Sequence, residues 1–370
     1  MSKVLSDVLI AGGGLAGSAA AIVLARAGRE VVLVERESKP QHKVCGEFLS
    51  QEALAYLHSL GVDAAALGAM PIHRVRLSGV GEVALPFAAM SLTRRRLDEA
   101  LLQLATSAGA TVVRGRRVQA IERADEDWSV RLDDATALAA REVFVATGKH
   151  DLLGRARPRG KQSDLVAFKM YWQLAPEQAK QLDSCVELLL YRGGYAGLQA
   201  VEDGAANLCC LIQRAELQRL GGWDNLLTAM QSDCPLLRER LQNAQPLLEK
   251  PLAIASIPYG YVRDHNDGLW VLGDQAVVIP SFTGDGISIA LHSGCLAAAM
   301  YLRGDPPNLF QQQLSSDLSR QVSFATTISR GLIWPPARGV FAAAVKLWPG
   351  LLGIVANKTR IAPNALRRPT

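Results

Sequence analysis

A glycine-rich loop between a short apolar strand and a small-residue helix most constrains how this chain can fold. The strand covers residues 7–10, and glycines follow at positions 12, 14 and 17. A helix to about Gly28 and a second apolar strand over residues 30–34 complete a βαβ unit that ends on Glu35. This G-x-G-x-x-G spacing, with an acid about 20 residues further on, is typical of a domain that binds a dinucleotide.

Each glycine of the loop has its own physical task. Gly12 permits the tight turn, Gly14 leaves room for a pyrophosphate to approach the backbone, and Gly17 lets the helix pack closely on the strand. The free N–H groups of the helix N-terminus present a partial positive charge to the phosphates. Glu35 is expected to accept both hydroxyls of an adenosine ribose. The contacts predicted for this unit are Gly12, Gly14, Leu15, Ala16, Gly17, Glu35 and Arg36.

Length and composition favour two packed domains in a reducing compartment. A chain of 370 residues with 49% hydrophobic content can bury a sizeable core. Its six cysteines are scattered, without the spacing of a metal site, which favours free thiols. We find neither a signal peptide nor an uncharged apolar run of 18 residues, and expect a cytoplasmic protein.

Helix and strand patterns alternate along most of the chain. Ser50 predicts the N-cap of a helix through about Leu60, and residues 94–108 have the apolar spacing of an amphipathic helix. Between residues 162 and 262, long alternating runs predict an antiparallel sheet with two short helices. The other predicted elements are a β-meander over 118–138, a buried strand over 143–148, a strand over 268–274 and an apolar helix over 287–302.

Further nucleotide-type motifs lie far apart in the sequence. Ala146-Thr147-Gly148 follows one predicted strand, Gly273-Asp274 ends another, and Gly284-Asp285-Gly286 begins a helix. Together with the glycine loop, they make the chain resemble the FAD-dependent monooxygenase superfamily, which has the para-hydroxybenzoate hydroxylase fold, over roughly residues 5–310. Residues 94–98 fit that superfamily's R-x-x-L-D helix start. Residues 43–47, Lys-Val-Cys-Gly-Glu, are similar to the geranylgeranyl reductase branch and related polyketide and lipid oxidoreductases.

The resemblance implies an α/β fold with a Rossmann-like, glutathione reductase-type FAD-binding domain. An antiparallel-β substrate domain is inserted in it, and a helical segment ends the chain. The predicted boundaries are 1–70, 91–160 and 263–317 for the FAD-binding domain, 71–90 and 161–262 for the substrate domain, and 318–370 for the C-terminal segment.

The resemblance also implies FAD as the cofactor and NAD(P)H as a transient reductant. Asp274, at the end of a predicted strand, is expected to accept a ribityl hydroxyl or to bind a phosphate-bound water. The helix start at residues 284–287 is expected to face the isoalloxazine, where its N–H groups stabilise negative charge on the reduced ring. The contacts added to those of the glycine loop are Cys45, Gly46, Arg94, Val118, Thr147, Gly148, Asp274, Gly284, Asp285, Gly286 and Ile287.

Three residues are candidates for catalysis, and each also has an ordinary structural interpretation. Cys45 is expected over the flavin or as a buried thiol. His150 is a candidate general acid or base, or a loop histidine. Tyr195 is a candidate for positioning or protonating the substrate, or a core aromatic. Cys209 and Cys210 are adjacent on a predicted strand, so their side chains point to opposite faces and are interpreted as packing.

The C-terminal segment, residues 318–370, combines positive charge with large apolar side chains. It contains eight Lys or Arg residues and no Asp or Glu, and Trp334 and Trp348 are among its apolar residues. This pattern favours an anionic membrane surface or an apolar substrate over nucleic acid. The alternative is a helical lid that packs on the core with solvated cations. The sequence leaves the oligomeric state open.

These observations predict an FAD-dependent oxidoreductase that uses NAD(P)H on a hydrophobic small molecule. We expect monooxygenase-type chemistry on a polyketide, aromatic or lipid-like substrate. Reduction of a C=C bond, as in geranylgeranyl reductases, is the first alternative. A flavin-binding sensor or partner protein without turnover is the second. The sequence predicts no metal site.

Overall fold

The computed structural model describes residues 5–348 and 350–366. The strands are β1 (Leu5–Ala11), β2 (Val31–Glu35), β3 (Phe48–Leu49), β4 (Met70–Leu77), β5 (Gly81–Ser91), β6 (Thr111–Arg114), β7 (Val118–Ala124), β8 (Asp127–Leu132), β9 (Ala137–Val145), β10 (Leu165–Gln173), β11 (Cys185–Tyr191), β12 (Gly194–Ala200), β13 (Ala206–Gln213), β14 (Gln245–Pro246), β15 (Leu252–Ala255) and β16 (Trp270–Val271).

The helices alternate with these strands and then take over the C-terminal part. They are α1 (Leu15–Arg26), α2 (Gln51–Leu60), α3 (Arg94–Ser107), α4 (Pro176–Leu182), α5 (Arg214–Leu220), α6 (Trp223–Asp233), α7 (Pro235–Arg240), α8 (Gly286–Leu302), α9 (Pro307–Ile333), α10 (Pro335–Leu347) and α11 (Gly350–Lys358). Short 3₁₀ turns cover Glu202–Gly204, Gly273–Gln275, Ser281–Thr283 and Pro363–Ala365.

The first sheet carries the glycine loop. Its strand order is β6-β2-β1-β9-β8-β7, and β16 pairs with β9. β1, β2, β6, β9 and β16 run parallel, while β7 and β8 add an antiparallel hairpin. β1 and α1 join through the loop, and α1 packs against α3 and α8. This is a Rossmann-like layer with helices on the sheet.

The second sheet has the order β14-β10-β13-β12-β11-β4-β5-β3, and β15 pairs with β10. All of its pairings are antiparallel except the one between β4 and β11. α6 and α7 pack behind it around a separate apolar core that includes Leu226 and Leu237. The predicted fold class, an FAD-type α/β domain with an antiparallel sheet domain and a helical C-terminus, is confirmed.

Capping residues set the start of α2 and α3, and a glycine sets the end of α2, where the sequence predicts these boundaries. The Ser50 side chain accepts a hydrogen bond from the Ala53 N–H at the start of α2, and Gly61, with φ of 87°, ends that helix. The Thr93 side chain caps α3 in the same way.

Several boundaries differ from the prediction because tertiary pairing decides them. Residues 137–145 form one strand, since its first half pairs with β8 and most of its length with β1. The strand predicted over 268–274 is reduced to Trp270–Val271, because Gly273, with φ of 56°, turns the chain into a 3₁₀ turn. β3, placed in the FAD-binding domain by the prediction, pairs with β5 of the second sheet. α9 begins at Pro307, ahead of the predicted segment boundary at 318.

Candidate active site

A cavity of about 1130 Å³ lies where the two sheets and the C-terminal helices meet. Ligand pockets commonly measure about 300–1,000 Å³, so this cavity has room for more than one small molecule. One end is lined by the glycine loop and the ends of β2 and β9. The other end is lined by apolar side chains of the second sheet and of α9, α10 and α11.

The glycine loop has the shape that a pyrophosphate requires. Gly12 has a φ of 110°, and a Cβ at this position would lie 2.4 Å from the carbonyl oxygen of Ala146. A Cβ on Gly17 would lie 1.9 Å from the carbonyl oxygen of Gly12, so helix and strand are packed in contact. A Cβ on Gly14 would meet only an ordinary van der Waals contact, 3.7 Å from the Arg94 guanidinium. Gly14 therefore leaves the cradle at the α1 N-terminus free for a phosphate group.

Glu35 ends β2 at the same end of the cavity. Its carboxylate accepts hydrogen bonds from the backbone N–H groups of Gly13, at 2.7 Å, and Glu37, at 3.0 Å. These bonds fix the carboxylate beside the loop, where its remaining acceptor capacity suits ribose hydroxyls. Arg36 and Val118 line the cavity next to it.

A buried ion-pair chain supports the cavity wall at Arg94. The guanidinium of Arg94 donates to Asp98 at 2.7 Å and 3.0 Å, and the Lys43 ammonium lies 2.7 Å from the same carboxylate. Burial alone raises the pKa of Asp98, but the two cations outweigh it and hold the pKa below its usual value. Arg94 is thus held rigidly in the wall that Gly14 faces.

The start of α8 forms another part of the wall. Gly284, Gly286 and Ile287 line the cavity together with Asp274. Gly284 has a φ of 69°, and a Cβ there would lie 2.7 Å from the Phe48 ring, so only glycine fits. The N-terminus of α8 therefore faces the cavity with its dipole, as expected for a group that develops negative charge.

Two of the predicted cofactor contacts do not line the cavity. Gly17 lies behind the loop, where its task is the helix–strand contact. The side chain of Asp285 is fully buried and turned away from the cavity, because three side chains bind its carboxylate. Arg360 lies 3.2 Å from it, the Ser50 hydroxyl lies 3.5 Å from it, and the Gln321 amide also donates to it. The other predicted contacts, with Cys45 and Gly46 among them, line the cavity.

The three catalytic candidates are not together. Cys45 and Tyr195 line the cavity where the two sheets meet, and the Tyr195 hydroxyl lies 3.4 Å from that of Ser281. Burial raises the pKa of Tyr195 to about 12, so it is a hydrogen-bond donor at neutral pH. His150 lies at the nucleotide end, where burial and then Arg36 and Arg117 lower its pKa. Its surroundings favour contact with an anionic cofactor group.

The apolar end of the cavity is lined mostly by hydrocarbon, with Thr359 and Arg360 at its border. Its aliphatic and aromatic side chains are Val75, Leu77, Val83, Leu85, Phe87, Val186, Leu188, Leu190, Ile254, Phe282, Ile328, Leu332, Phe341, Leu352 and Val355. The adjacent cysteines on β13 point to opposite faces, as predicted: Cys209 lines the cavity and Cys210 lies in the core behind the sheet. Burial raises the pKa of Cys209 to about 11, which keeps its thiol protonated.

Sequence reasoning missed a buried polar cluster next to Cys45. Glu47 is fully buried with a φ of 61°, and its carboxylate lies 2.5 Å from the Lys169 ammonium. The Tyr171 hydroxyl donates to the same carboxylate at 2.8 Å, and the amide of Asn207 donates at 3.1 Å. One signal for this cluster was visible: Lys169 is a lone charge within the otherwise apolar run of β10.

Sequence reasoning also missed how the C-terminal segment is attached. Arg360 is a buried cation that pairs with Asp285 and stacks over the Phe87 ring, 4.7 Å from its centre. Gln321 of α9 binds both Asp285 and the backbone carbonyl of Thr359. The segment therefore packs on the start of α8.

Comparison with known proteins places this cavity in a family. The FAD binding domain family matches residues 5–143, which contain the glycine loop, Glu35 and Arg94. A solved structure described as a probable FAD-dependent monooxygenase from Pseudomonas aeruginosa shares the fold, with a TM-score of 0.71 and 19% identity over 91% of this chain and 100% of that one. These matches are consistent with the predicted resemblance to the FAD monooxygenase superfamily. The chain is an FAD-dependent oxidoreductase.

Relatives within the superfamily extend over most of the chain. Menaquinone reductase from Mycobacterium tuberculosis (strain ATCC 25618 / H37Rv) is 28% identical over 358 residues, which cover 89% of this chain and 85% of the relative. Digeranylgeranylglycerophospholipid reductase 1 from Methanothermobacter thermautotrophicus is 27% identical over 332 residues, 81% of this chain and 78% of the relative. The chain is thus similar to both of these reductases well beyond the FAD-binding segment.

In the part of the chain that the structure describes, no single helix is long and apolar enough to cross a membrane. The helical stretches Gly339–Leu347 and Gly350–Ala365, bent by 115° at their junction, reach that length and composition only together. No group of His, Cys, Asp and Glu able to hold a metal ion occurs among the described residues.

Proposed function

We propose that this flavoenzyme uses NAD(P)H to reduce a C=C bond in a lipid-like, isoprenoid-type substrate. The observation that carries the proposal is the continuous cavity, with a dinucleotide cradle at one end and an apolar chamber at the other. A chamber with this lining favours a long hydrocarbon chain, whose burial stabilises the complex by about 25 cal/mol per Å². The two reductases similar to this chain are named for an isoprenoid quinone and an isoprenoid lipid, which supports the same substrate class.

The residues of the cavity have separable tasks in this reaction. The α1 N-terminus and Arg94 would hold the pyrophosphate, Glu35 would bind the ribose, and the α8 N-terminus would lie toward the ring. A bound FAD would supply the chemistry that transfers a hydride from NAD(P)H to the substrate. The apolar lining excludes water from the reacting carbon atoms. Tyr195, a protonated phenol at the junction of the two ends, orients the substrate through its hydroxyl.

Anaerobic assays distinguish this function from the monooxygenase alternative. The holoprotein is incubated with NADH or NADPH under argon, and nucleotide oxidation is followed with and without added menaquinone or a geranylgeranyl lipid. We expect oxidation that depends on the lipid and needs no oxygen. Nucleotide oxidation that occurs only in air, with release of peroxide or a hydroxylated product, would contradict the proposal and favour the monooxygenase. A protein that oxidises no nucleotide under either condition would favour the flavin-binding sensor.

A lipid-like substrate raises the question of where the protein meets it. The C-terminal helices expose large apolar side chains, among them Leu347, exposed to 88%, and Trp348, exposed to 58%. The exposed cations Arg330, Lys346 and Lys358 are on the same helices. Asp317 is the single acidic residue in the sequence of these helices. Since these helices also line the apolar chamber, we propose that they rest on an anionic bilayer.

Liposome co-sedimentation tests the membrane contact. Binding to vesicles that contain phosphatidylglycerol should rise with the anionic lipid fraction and fall with added salt, because counter-ions screen the cations. A double variant, with Leu347 and Trp348 both replaced by serine, should bind at least about tenfold more weakly than the wild type, since neither position can then bury an apolar side chain in the bilayer. Leu309→Ser, an exposed leucine at the far end of α9, is the matched control. Equal binding of all three proteins, or no binding at low salt, would contradict the proposal.

A further inference from the structure

The polar cluster around Glu47 is too costly to be a passive part of the core. A non-glycine residue with positive φ is strained, and a buried carboxylate adds a desolvation cost. Glu47 carries both, at a position that lines the main cavity two residues from Cys45. Its backbone N–H donates to the Cys45 sulfur at 3.3 Å. Strain and buried charge of this kind are concentrated at functional sites.

A chain of hydrogen bonds leads from Glu47 to a second cavity. The Tyr171 hydroxyl binds both carboxylate oxygens of Glu47, at 2.8 Å and 2.9 Å. The Nδ1 atom of His42 lies 3.1 Å from the same hydroxyl. His42 and Tyr171 line a second cavity of about 540 Å³, and His42 also borders the main cavity. The polar residues around that cavity are Thr93, Arg95, Arg96, Glu99, Gln103, Glu202 and Asp203.

We propose that His42, Tyr171 and Glu47 form a proton relay that carries a proton from solvent in the second cavity to the substrate in the main cavity. Saturation of one bond consumes NAD(P)H and one further proton: the nicotinamide supplies a hydride, with both electrons, to one carbon, and the second carbon takes the proton. The nicotinamide leaves oxidised, and charge balances. The relay therefore supplies the proton that NAD(P)H does not. This proposal rests on the reductase function above.

The chemistry of each group fits its place in the relay. Burial raises the pKa of Tyr171, and the neighbouring Glu47 raises it further, so the hydroxyl keeps its proton and donates it to the carboxylate. Nδ1 of His42 must then be the donor toward the Tyr171 oxygen, which leaves Nε2 as the proton acceptor. Proton uptake at Nε2 and release from Nδ1, through Tyr171 to Glu47, moves one proton across the cluster without moving a heavy atom.

Burial and the surrounding charges shift the pKa values at the two ends of the relay in opposite directions. Burial first, and then Lys169 and Arg95, lower the pKa of His42 to about 4, while Glu202 opposes them. Burial raises the pKa of Glu47, and Lys169, Arg94 and Tyr171 partly offset this. A buried carboxyl with a raised pKa beside the Lys169 ammonium can both bind and release a proton, as a proton carrier must.

The tautomer of His42 tests the relay without any substrate. In ¹⁵N NMR of the FAD-loaded protein, His42 should be a neutral Nδ1–H tautomer at pH 7 and should titrate with a pKa of about 4. Tyr171→Phe should remove the preference for this tautomer. An Nε2–H tautomer in the wild type would overturn the proposal, because the imidazole would then have no proton to pass to Tyr171.

Kinetics of the two half-reactions test the relay in action. Hydride entry from NAD(P)H consumes no solvent proton, so Tyr171→Phe should leave its rate within about twofold of the wild type. The following reduction of menaquinone should slow at least about tenfold, with a larger solvent isotope effect in D₂O. His42→Ala should show the same defect, and imidazole added to the buffer should restore the rate by entering the second cavity.

Two matched variants separate relay from structure. Tyr191→Phe removes another buried hydroxyl of the same sheet, which binds the Leu211 carbonyl, and His73→Ala removes an exposed imidazole. Neither should alter the half-reactions or respond to imidazole. Equal slowing of both half-reactions in Tyr171→Phe, or the absence of imidazole rescue, would overturn the relay. If the wild type reduces none of the probes, the proposed function fails and the tautomer measurement alone decides the relay.

Discussion

Replacement of Gly14 by valine is expected to remove FAD from the protein while the fold remains. A Cβ at this position points into the open cradle at the α1 N-terminus, and the two valine methyl groups would occupy the path of the pyrophosphate. The loss of phosphate contacts with the helix N-terminus should raise the Kd for FAD at least about 100-fold, which corresponds to about 3 kcal/mol. Flavin absorbance of the purified variant, with circular dichroism for the fold, measures the effect.

Gly353→Val provides the matched control for this experiment. Gly353 also lines the main cavity, but at the apolar end on α11, and an added Cβ there would meet no atom within 4 Å. This variant should keep full flavin absorbance. Full absorbance in Gly14→Val as well would show that the cofactor does not use the glycine loop.

Replacement of Arg360 by methionine is expected to cause a large loss of stability centred on the start of α8. Methionine keeps much of the apolar stem over the Phe87 ring but leaves the carboxylate of Asp285 buried without its cation. Removal of one partner of a buried ion pair costs about 3–5 kcal/mol. Urea unfolding measures the loss, and Lys358→Met, an exposed cation two residues earlier, should change the stability little.

The pH dependence of this loss identifies its cause. Burial already raises the folded-state pKa of Asp285 above its ordinary value of 3.8, although Arg360 lowers it, and removal of Arg360 should raise it further. The folded variant then holds a proton that the unfolded chain has released, so its stability falls as the pH rises above 3.8. The difference from wild type should be largest at neutral pH and shrink toward pH 4. Asp285→Asn in the Arg360→Met background should recover most of the stability at neutral pH.

The nucleotide-binding half of the site was predictable because its signals are local. The turn, the helix N-terminus and the acid proposed to bind the ribose lie within residues 12–35, and each residue type follows from a backbone or charge requirement. The ends of α2 and α3 were predictable for the same reason, since Ser50 and Thr93 are capping residues next to apolar periodicity.

The polar cluster and the tail anchor were not predictable because long-range contacts create them. Glu47 and Lys169 are 122 residues apart, and Arg360 and Asp285 are 75 apart, so the meaning of each charge depends on the partner that the fold supplies. Asp285 looked like a cofactor contact because it interrupts two glycines at a helix start, yet its partners come from α9 and the C-terminal segment. The pairing of β3 with the second sheet is a similar case, as two residues carry too little pattern.

The mass of the product formed under argon tests the central claim most directly. The FAD-loaded protein is given NADPH and a geranylgeranyl lipid, and the extracted lipid is analysed by mass spectrometry. A flavin-dependent reductase predicts a gain of two hydrogen atoms per turnover, with one of them derived from D₂O when the solvent is deuterated. An unchanged lipid under argon, with a gain of one oxygen atom when air is admitted, would contradict the reductase and identify a monooxygenase.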